Sequence, residues 1–186
     1  MGLPRHKRAT YEDLLAVPSN LVAEIIDGEL ITSPRPTPRH SNAASGLVEW
    51  LRGPFQRGRG GPGGWIILFE PELHLRGDVV VPDVAGWRRE RLPKVPDSAS
   101  IALPPDWVCE VLSPSTAAVD RASKMPIYSR EGVGHIWLID PMPRTLETYR
   151  LLDAGWTLLA TFRDDALVRA APFESIEFAL ADLWAD

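Results

Sequence analysis

Cysteine is nearly missing from this sequence, and long apolar runs are missing altogether. Cys109 is the only cysteine among 186 residues, which excludes an intramolecular disulfide, and its apolar neighbours indicate a buried core residue. No apolar run approaches the roughly 20 residues that a membrane-spanning helix requires. Residues 1–15 also lack the apolar segment of a secretory signal. We therefore expect a cytoplasmic, bacterial-type protein without a membrane partner.

Two sequence motifs that bind phosphate or metal are absent as well. The glycine-rich segment 53–64 does not end in the Gly-Lys-Ser/Thr of a phosphate-binding loop, and we expect no organic cofactor. No H-E-x-x-H spacing occurs, so a histidine-based metal hydrolase is the weaker alternative. The net charge of −5 argues against a protein that coats nucleic acid, although an acidic chain can still hold a metal site in a cleft lined by basic residues.

The length and composition fit one ordinary globular domain. The chain is 45% hydrophobic and 24% charged, which suffices for a sizeable core, and we expect a single domain over residues 1–186. Residues 1–9 are rich in basic side chains and are expected to form a flexible arm.

Turn residues divide the chain into strands and helices. Asp27-Gly28 joins two apolar segments and predicts an N-terminal β-hairpin. An apolar stripe predicts a helix over about 39–52, ending at Gly53-Pro54. A second hairpin is expected around residues 153–155, near the C-terminus.

Two acidic residues lie in apolar stretches that have the composition of strands. Asp83 follows Val79–Val81 and would continue that strand, and Glu110 lies inside Trp107–Leu112. A buried carboxylate is unfavourable unless its charge is compensated. If the strands are neighbours in register, opposite Cβ atoms lie roughly 4.5–5.5 Å apart, and the two carboxylates could share one hard cation. We expect Mg²⁺, with Mn²⁺ as a substitute, because Mg²⁺ takes one or two carboxylates with waters and phosphate oxygens.

This arrangement resembles the PD-(D/E)XK nuclease superfamily, in which a Pro-Asp strand and an acid-x-Lys strand hold Mg²⁺ at a scissile phosphate. Pro82-Asp83 matches the first half, and Glu110-Val111-Leu112 matches the second, except that Leu112 replaces the lysine. In some branches of the superfamily the lysine lies on a nearby helix, and Lys124 is the candidate here. Without the resemblance, an exposed lysine paired with Asp120 is the simpler interpretation of Lys124.

The closer resemblance is to the Uma-type restriction endonuclease family. It covers nearly the whole chain in order, which is more specific than any one short motif. The matching segments are 10–18, 23–31, 33–51, 80–84, 109–116, 120–128 and 132–141. The resemblance implies a restriction endonuclease-like fold of the α/β (α+β) class, with a mixed β-sheet flanked by helices, a β-hairpin near each end and a single nuclease-like domain.

The resemblance also implies further site residues. The family repeats an acid in its opening hairpin and a histidine at the first turn of the next helix, which correspond to Glu24 and His40. Glu24 on an edge strand that reaches water is an equally good interpretation. Tyr128 is a second auxiliary candidate beside His40, although simple packing also explains it. The implied catalytic residues are Asp83, Glu110, Lys124 and Glu24, and the implied metal ligands are Asp83, Glu110 and the carbonyl of Val111.

The expected function is therefore that of a Mg²⁺-dependent DNA endonuclease. We expect a homodimer, because cutting both strands of a duplex commonly needs two sites. Asp83→Ala or Lys124→Ala is expected to abolish nicking and to leave thermal melting nearly unchanged. The alternative is a nuclease fold without catalysis that serves as a nucleic-acid-binding or assembly module, which Leu112 and the acidic net charge would favour.

Overall fold

The computed structural model describes residues 8–153 and 155–184. The predicted arm over residues 1–9 therefore lies mostly outside the described residues. Ala9, the last residue of the predicted arm, donates a backbone hydrogen bond of 2.8 Å to the carbonyl of Gly28.

Short helices and many strands make up the described chain. The helices are α1 (Tyr11–Leu15), α2 (Pro38–Leu51), α3 (Ala117–Val119) and α4 (Met125–Arg130), with π-helical turns at Arg52–Gln56 and Asp120–Lys124 and a 3-10 turn at Leu180–Leu183. The strands are β1 (Leu21–Ile26), β2 (Glu29–Pro34), β3 (Trp65–Phe69), β4 (Glu72–Leu75), β5 (Asp78–Val80), β6 (Val84–Arg88), β7 (Ser100–Ile101), β8 (Trp107–Val111), β9 (His135–Asp140), β10 (Thr145–Leu152), β11 (Gly155–Arg163), β12 (Leu167–Val168) and β13 (Phe178–Ala179).

Two mixed sheets organise these elements. The larger has the order β11-β10-β9-β8-β6-β3, with β8 and β9 parallel and the other neighbours antiparallel. The smaller has the order β2-β1-β5-β4-β7, with β4 and β7 parallel. The predicted hairpins are β1–β2, in which Glu24 lies opposite Ile31, and β10–β11. The predicted fold class, a mixed sheet with flanking helices and a hairpin near each end, is confirmed.

The larger sheet separates two hydrophobic cores. On one face it packs against α2 and the C-terminal segment, where Trp65, Trp107 and Trp137 surround the ring of Phe173 at centroid distances of 4.9, 4.9 and 5.6 Å. On the other face, β8 and β9 pack against α4 and residues of the smaller sheet. Side chains of β8 point alternately into these two cores, so Glu110 lies on the face of the sheet that packs against α4.

The helix predicted over about 39–52 is present as α2, and its α-helical turns end before Gly53-Pro54, which lie in the π-helical turn that follows. One local prediction was wrong. Asp83 does not continue the strand of Val79. That strand ends at Val80, and Pro82 has no N–H for a ladder, so the chain leaves one sheet and enters the other at Val84.

We expect Phe173→Ala to lower the free energy of unfolding by about 3–5 kcal/mol, because it removes a buried ring from the aromatic core. Phe69→Ala is the matched control, since Phe69 is 48% exposed, and it should cost about 1 kcal/mol or less. Urea unfolding of both variants measures the difference. Equal losses would contradict this description of the core.

Candidate active site

The chain crosses from the smaller to the larger sheet at residues 81–83, and two buried carboxylates hold this crossing. The Val81 N–H donates to Oε1 of Glu24 at 2.8 Å, and the Asp83 N–H donates to Oε2 of Glu110 at 3.4 Å. Because Pro82 has no N–H, both backbone donors of the crossing go to these acids. The local sequence therefore brings a residue of the N-terminal hairpin and a residue of β8 to the same peptide segment.

Asp83 and Glu110 come together through the pairing of β6 with β8. These antiparallel strands place Val84 opposite Cys109, and the next positions in this register are Asp83 and Glu110. The Val111 N–H donates to Oδ2 of Asp83 at 2.7 Å, which ties the Asp83 carboxylate to the end of β8. The expected neighbouring arrangement of the two acids is present, although Asp83 lies just before its strand.

His40 lies at the first turn of α2 and contacts the same carboxylate. Its Nε2 is 3.3 Å from Oδ2 of Asp83, and its buried Nδ1 has no hydrogen-bond partner among the described residues. Burial lowers the pKa of His40, but the Asp83 carboxylate and the backbone carbonyl of Val111 outweigh burial and raise the pKa above its usual value. His40 is thus next to two of the three predicted metal ligands.

Lys124 is fully surrounded by acids and is not an exposed helix lysine. Its Nζ lies 3.1 Å from Glu24, 3.2 Å from Asp120 and 3.4 Å from Glu110, and only 5% of the residue is exposed. Burial alone would lower the pKa of Lys124. The carboxylates of Glu110, Glu24 and Asp120 outweigh burial and hold this pKa well above its usual value. The predicted pairing with Asp120 is present, but inside the protein.

The backbone before α4 explains why Lys124 turns inward. Asp120–Lys124 forms a π-helical turn, and Pro126 follows at the start of α4. Backbone N–H groups in the first turn of a helix have no intrahelical acceptor, so a proline is tolerated there. Further inside a helix, a proline would remove one of the backbone hydrogen bonds. The helical backbone is therefore irregular next to Lys124. π-Helical turns of this kind often occur at functional sites.

Tyr128 lies one turn beyond Lys124 and contacts the site directly. Its hydroxyl donates to Oε1 of Glu110 at 2.6 Å, and the ring is fully buried. Burial raises the pKa of Glu110 well above its usual value, whereas Lys124 acts in the opposite direction and Asp120 and Asp83 raise it further. The acid is thus held by a hydroxyl, an ammonium and a backbone amide, with only 1% of the residue exposed.

These groups line one cleft of about 560 Å³. All predicted site residues except Tyr128 contribute to its lining, and Tyr128 supports Glu110 from behind. Three lining acids were missed as site residues, namely Asp120, Glu70 and Glu72. Asp120 is four residues before Lys124, a spacing that indicates contact on a helix. Glu70 follows β3, and burial and the nearby Asp83 raise its pKa, but no sequence pattern distinguishes it from a surface acid.

The donor set can be tested against a divalent cation. No cluster of three or more His, Cys, Asp or Glu side chains with metal-binding geometry occurs within residues 8–153 and 155–184. Mg²⁺ does not require one, since it is bound by one or two carboxylates with water and phosphate oxygens. Charge also favours a cation. Glu24, Glu110 and Asp120 surround a single ammonium, and the half-buried Asp83 adds a further carboxylate. The residues fit a hard divalent ion at Asp83, Glu110 and the Val111 carbonyl.

Comparisons with known proteins show the family and the fold of the chain. The model of the Uma2 family, described as "Putative restriction endonuclease", matches residues 8–181. The chain belongs to this family. A crystal structure of a "putative nuclease belonging to DUF820" from Anabaena variabilis ATCC 29413 is similar to this Uma2 chain, with a TM-score of 0.73 and 25% sequence identity. The similarity covers 94% of this chain and 97% of the other. No protein with a curated description matches the sequence.

The Uma2 chain thus shares its fold with a protein described as a nuclease. Among the described helices, none has the length and apolar character needed to cross a membrane.

Replacing Lys124 is expected to destabilise this Uma2 protein, contrary to the sequence-based expectation of unchanged melting. Lys124→Met leaves buried carboxylates without their ammonium, and breaking a buried ion pair in this way costs roughly 3–5 kcal/mol. Lys94→Met changes an exposed lysine and should shift stability by about 0.5 kcal/mol or less. Thermal and urea unfolding without metal compare the two variants. A Lys124→Met protein as stable as the Lys94→Met control would show that the ion cluster is not formed in solution.

Proposed function

We propose that this protein is a Mg²⁺-dependent endonuclease that hydrolyses phosphodiester bonds in DNA. The observation that carries the proposal is the convergence of Asp83, Glu110 and Lys124, from a sheet crossing, a strand and the following helix, on one cleft. Membership of a family described as restriction endonucleases supports the same reaction class.

Each residue would have a distinct task. Asp83, Glu110 and the Val111 carbonyl would hold Mg²⁺ or its substitute Mn²⁺. The bound ion would polarise the phosphate and lower the pKa of a water. Lys124 keeps its proton in this arrangement, so it would act as a positive charge toward the phosphate and not as the base. Glu24 would hold Lys124 in place while it also fixes the crossing at Val81.

His40 and Tyr128 would position the two metal-binding acids. His40 contacts the Asp83 carboxylate from within the cleft lining, and Tyr128 donates to Glu110 from behind it, so each orients one acid. Residues that orient metal ligands commonly affect metal affinity about 10–100-fold. Leu112, at the superfamily's lysine position, is buried in the core beside α4, so it would take no part in metal binding or in the reaction.

Plasmid nicking tests the proposal. With Mg²⁺, the wild-type protein should convert supercoiled plasmid to open circles, and Asp83→Asn should reduce the rate by about 100-fold or more, because the ion loses a charged ligand. Asp97→Asn, which changes an exposed acid in a loop, is the matched control and should retain full activity. Nicking by the Asp83→Asn variant at the wild-type rate would contradict the proposed function.

The raised pKa of Glu110 predicts how metal binding depends on pH. A metal ligand must be deprotonated, so binding displaces a proton from Glu110 wherever this acid is still protonated in the free protein. Affinity for Mn²⁺ should therefore rise with pH and level off only above the pKa of Glu110, which burial holds well above the usual range of a glutamate. Calorimetry in two buffers of different ionisation enthalpy should detect proton release. Glu110→Gln should abolish the release, and pH-independent affinity in the wild type would contradict this assignment.

A non-catalytic binding or assembly module is the second candidate. Leu112 at the superfamily's lysine position and the net charge of −5 favour it. The same calorimetry separates the two functions, because a module need not bind Mg²⁺ or Mn²⁺ at Asp83 and Glu110.

The homodimer also stays a prediction. Strand β11, at the edge of the larger sheet with Leu158 and Leu159 exposed, is the surface through which we propose that two copies pair.

A further inference from the structure

The cleft around the candidate site is small and deep relative to a DNA duplex. Its volume of about 560 Å³ is in the range of pockets that enclose small ligands, roughly 300–1,000 Å³. Glu110 and Lys124 lie at its floor and are 1% and 5% exposed. A phosphate must leave the regular outline of a duplex to approach these groups, whereas the flexible backbone of an unpaired strand can bend into the cleft.

Charge around the cleft also disfavours a duplex. The lining contains six carboxylates, those of Glu24, Glu70, Glu72, Asp83, Glu110 and Asp120. Its cations are Arg35, Lys124 and, when protonated, His40, and of these Lys124 is already surrounded by three acids. Duplex-binding proteins rely on many Lys and Arg contacts to phosphates on both strands. Among the described residues that line the cleft, only Arg35, which is exposed, offers such a contact at the rim.

One side of the rim is apolar. It is formed by α1, the segment that follows it, the start of β1 and the segment that leads into α2, through Leu15, Val17, Pro18, Leu21, Pro34 and Pro36. Leu15 is 65% exposed, and together these side chains give the cleft an apolar edge beside its carboxylates. Bases inside a duplex are stacked and cannot reach such a surface. Unpaired bases can be splayed out and packed against apolar and planar side chains.

We propose that the substrate is a nucleic-acid strand that is unpaired at the scissile phosphate, with its neighbouring bases packed against the apolar rim. This inference rests on the proposed nuclease function and names its substrate class. The scissile phosphate reaches Asp83 and Glu110 at the floor, and the strand crosses the rim between α1 and the turn at residues 113–116.

Cleavage of matched oligonucleotides tests the inference. A labelled single strand, its fully paired duplex and a duplex with a single-stranded flap are incubated with the wild-type protein and Mg²⁺. We expect initial rates at least about ten-fold higher on the single strand than on the duplex, and cuts in the flap confined to its unpaired part. A duplex cut as fast as the single strand would overturn the inference and leave the nuclease function standing. Cleavage of none of the three would overturn the nuclease function itself.

Binding without cleavage gives an independent measurement. Fluorescence anisotropy with Ca²⁺ in place of Mg²⁺ should show the single strand bound at least about ten-fold more tightly than the duplex. Equal or tighter duplex binding overturns the inference even if no cleavage is seen.

A pair of rim variants tests the contact surface. Leu15→Glu places a negative charge where bases and phosphates would pass, and it should raise the KM for the single strand about ten-fold while kcat changes less than about two-fold. Leu167→Glu is the matched control, since Leu167 is 62% exposed and lies on β12, outside the cleft lining. Unchanged KM in Leu15→Glu, or equal changes in both variants, would contradict the proposed path of the strand.

Discussion

One buried ammonium balances carboxylates from three separate elements, and the candidate site depends on it. Lys124 approaches Glu24 of the N-terminal hairpin, Glu110 of the larger sheet and Asp120 of the preceding π-helical turn. Two of these acids also hold the peptide that crosses between the sheets. The same charges therefore fix the relative positions of the hairpin, the sheet and the helix around the cleft.

Such a cluster is a poor way to gain stability. Desolvation of buried ions usually offsets most of their attraction, and well-packed apolar residues in their place are often as stable or more stable. The carboxyl groups outnumber the ammonium, and burial and neighbouring carboxylates raise the pKa of Glu110 and of Asp120. Acids with raised pKa values are expected where a cation binds, because the cation displaces the proton and compensates the charge of the carboxylate. The ion cluster thus connects the packing of the fold with the proposed binding of a divalent ion.

The sequence predicted the elements that depend on local signals. Asp27-Gly28 fixed the first hairpin and its register, and the apolar stretch around Glu110 identified β8. The contact between the two acids was also predictable, since it follows from two strands being neighbours. Asp83 was misplaced within its strand because alternation alone does not show that Pro82 ends one sheet and begins another.

The surroundings of the site were harder to predict. The burial of Lys124 depends on a π-helical turn and on an acid about a hundred residues earlier in the chain, and neither has a sequence signature of its own. The apolar rim from α1 was missed for the same reason, since a short helix with a capping box gives no indication of what its exposed Leu15 faces. Long-range packing decides both features, whereas sequence patterns report mainly on neighbours along the chain.

A crystal structure of the wild-type protein grown with Mn²⁺ tests whether the two acids bind a divalent ion, because the anomalous signal locates the ion without assumptions about activity. We expect a peak within about 2.0–2.4 Å of carboxylate oxygens of Asp83 and Glu110 and of the Val111 carbonyl, with the Lys124 ammonium retained beside Glu24 and Asp120. A peak bound by other residues, or no peak at the cleft floor at saturating Mn²⁺, would contradict it.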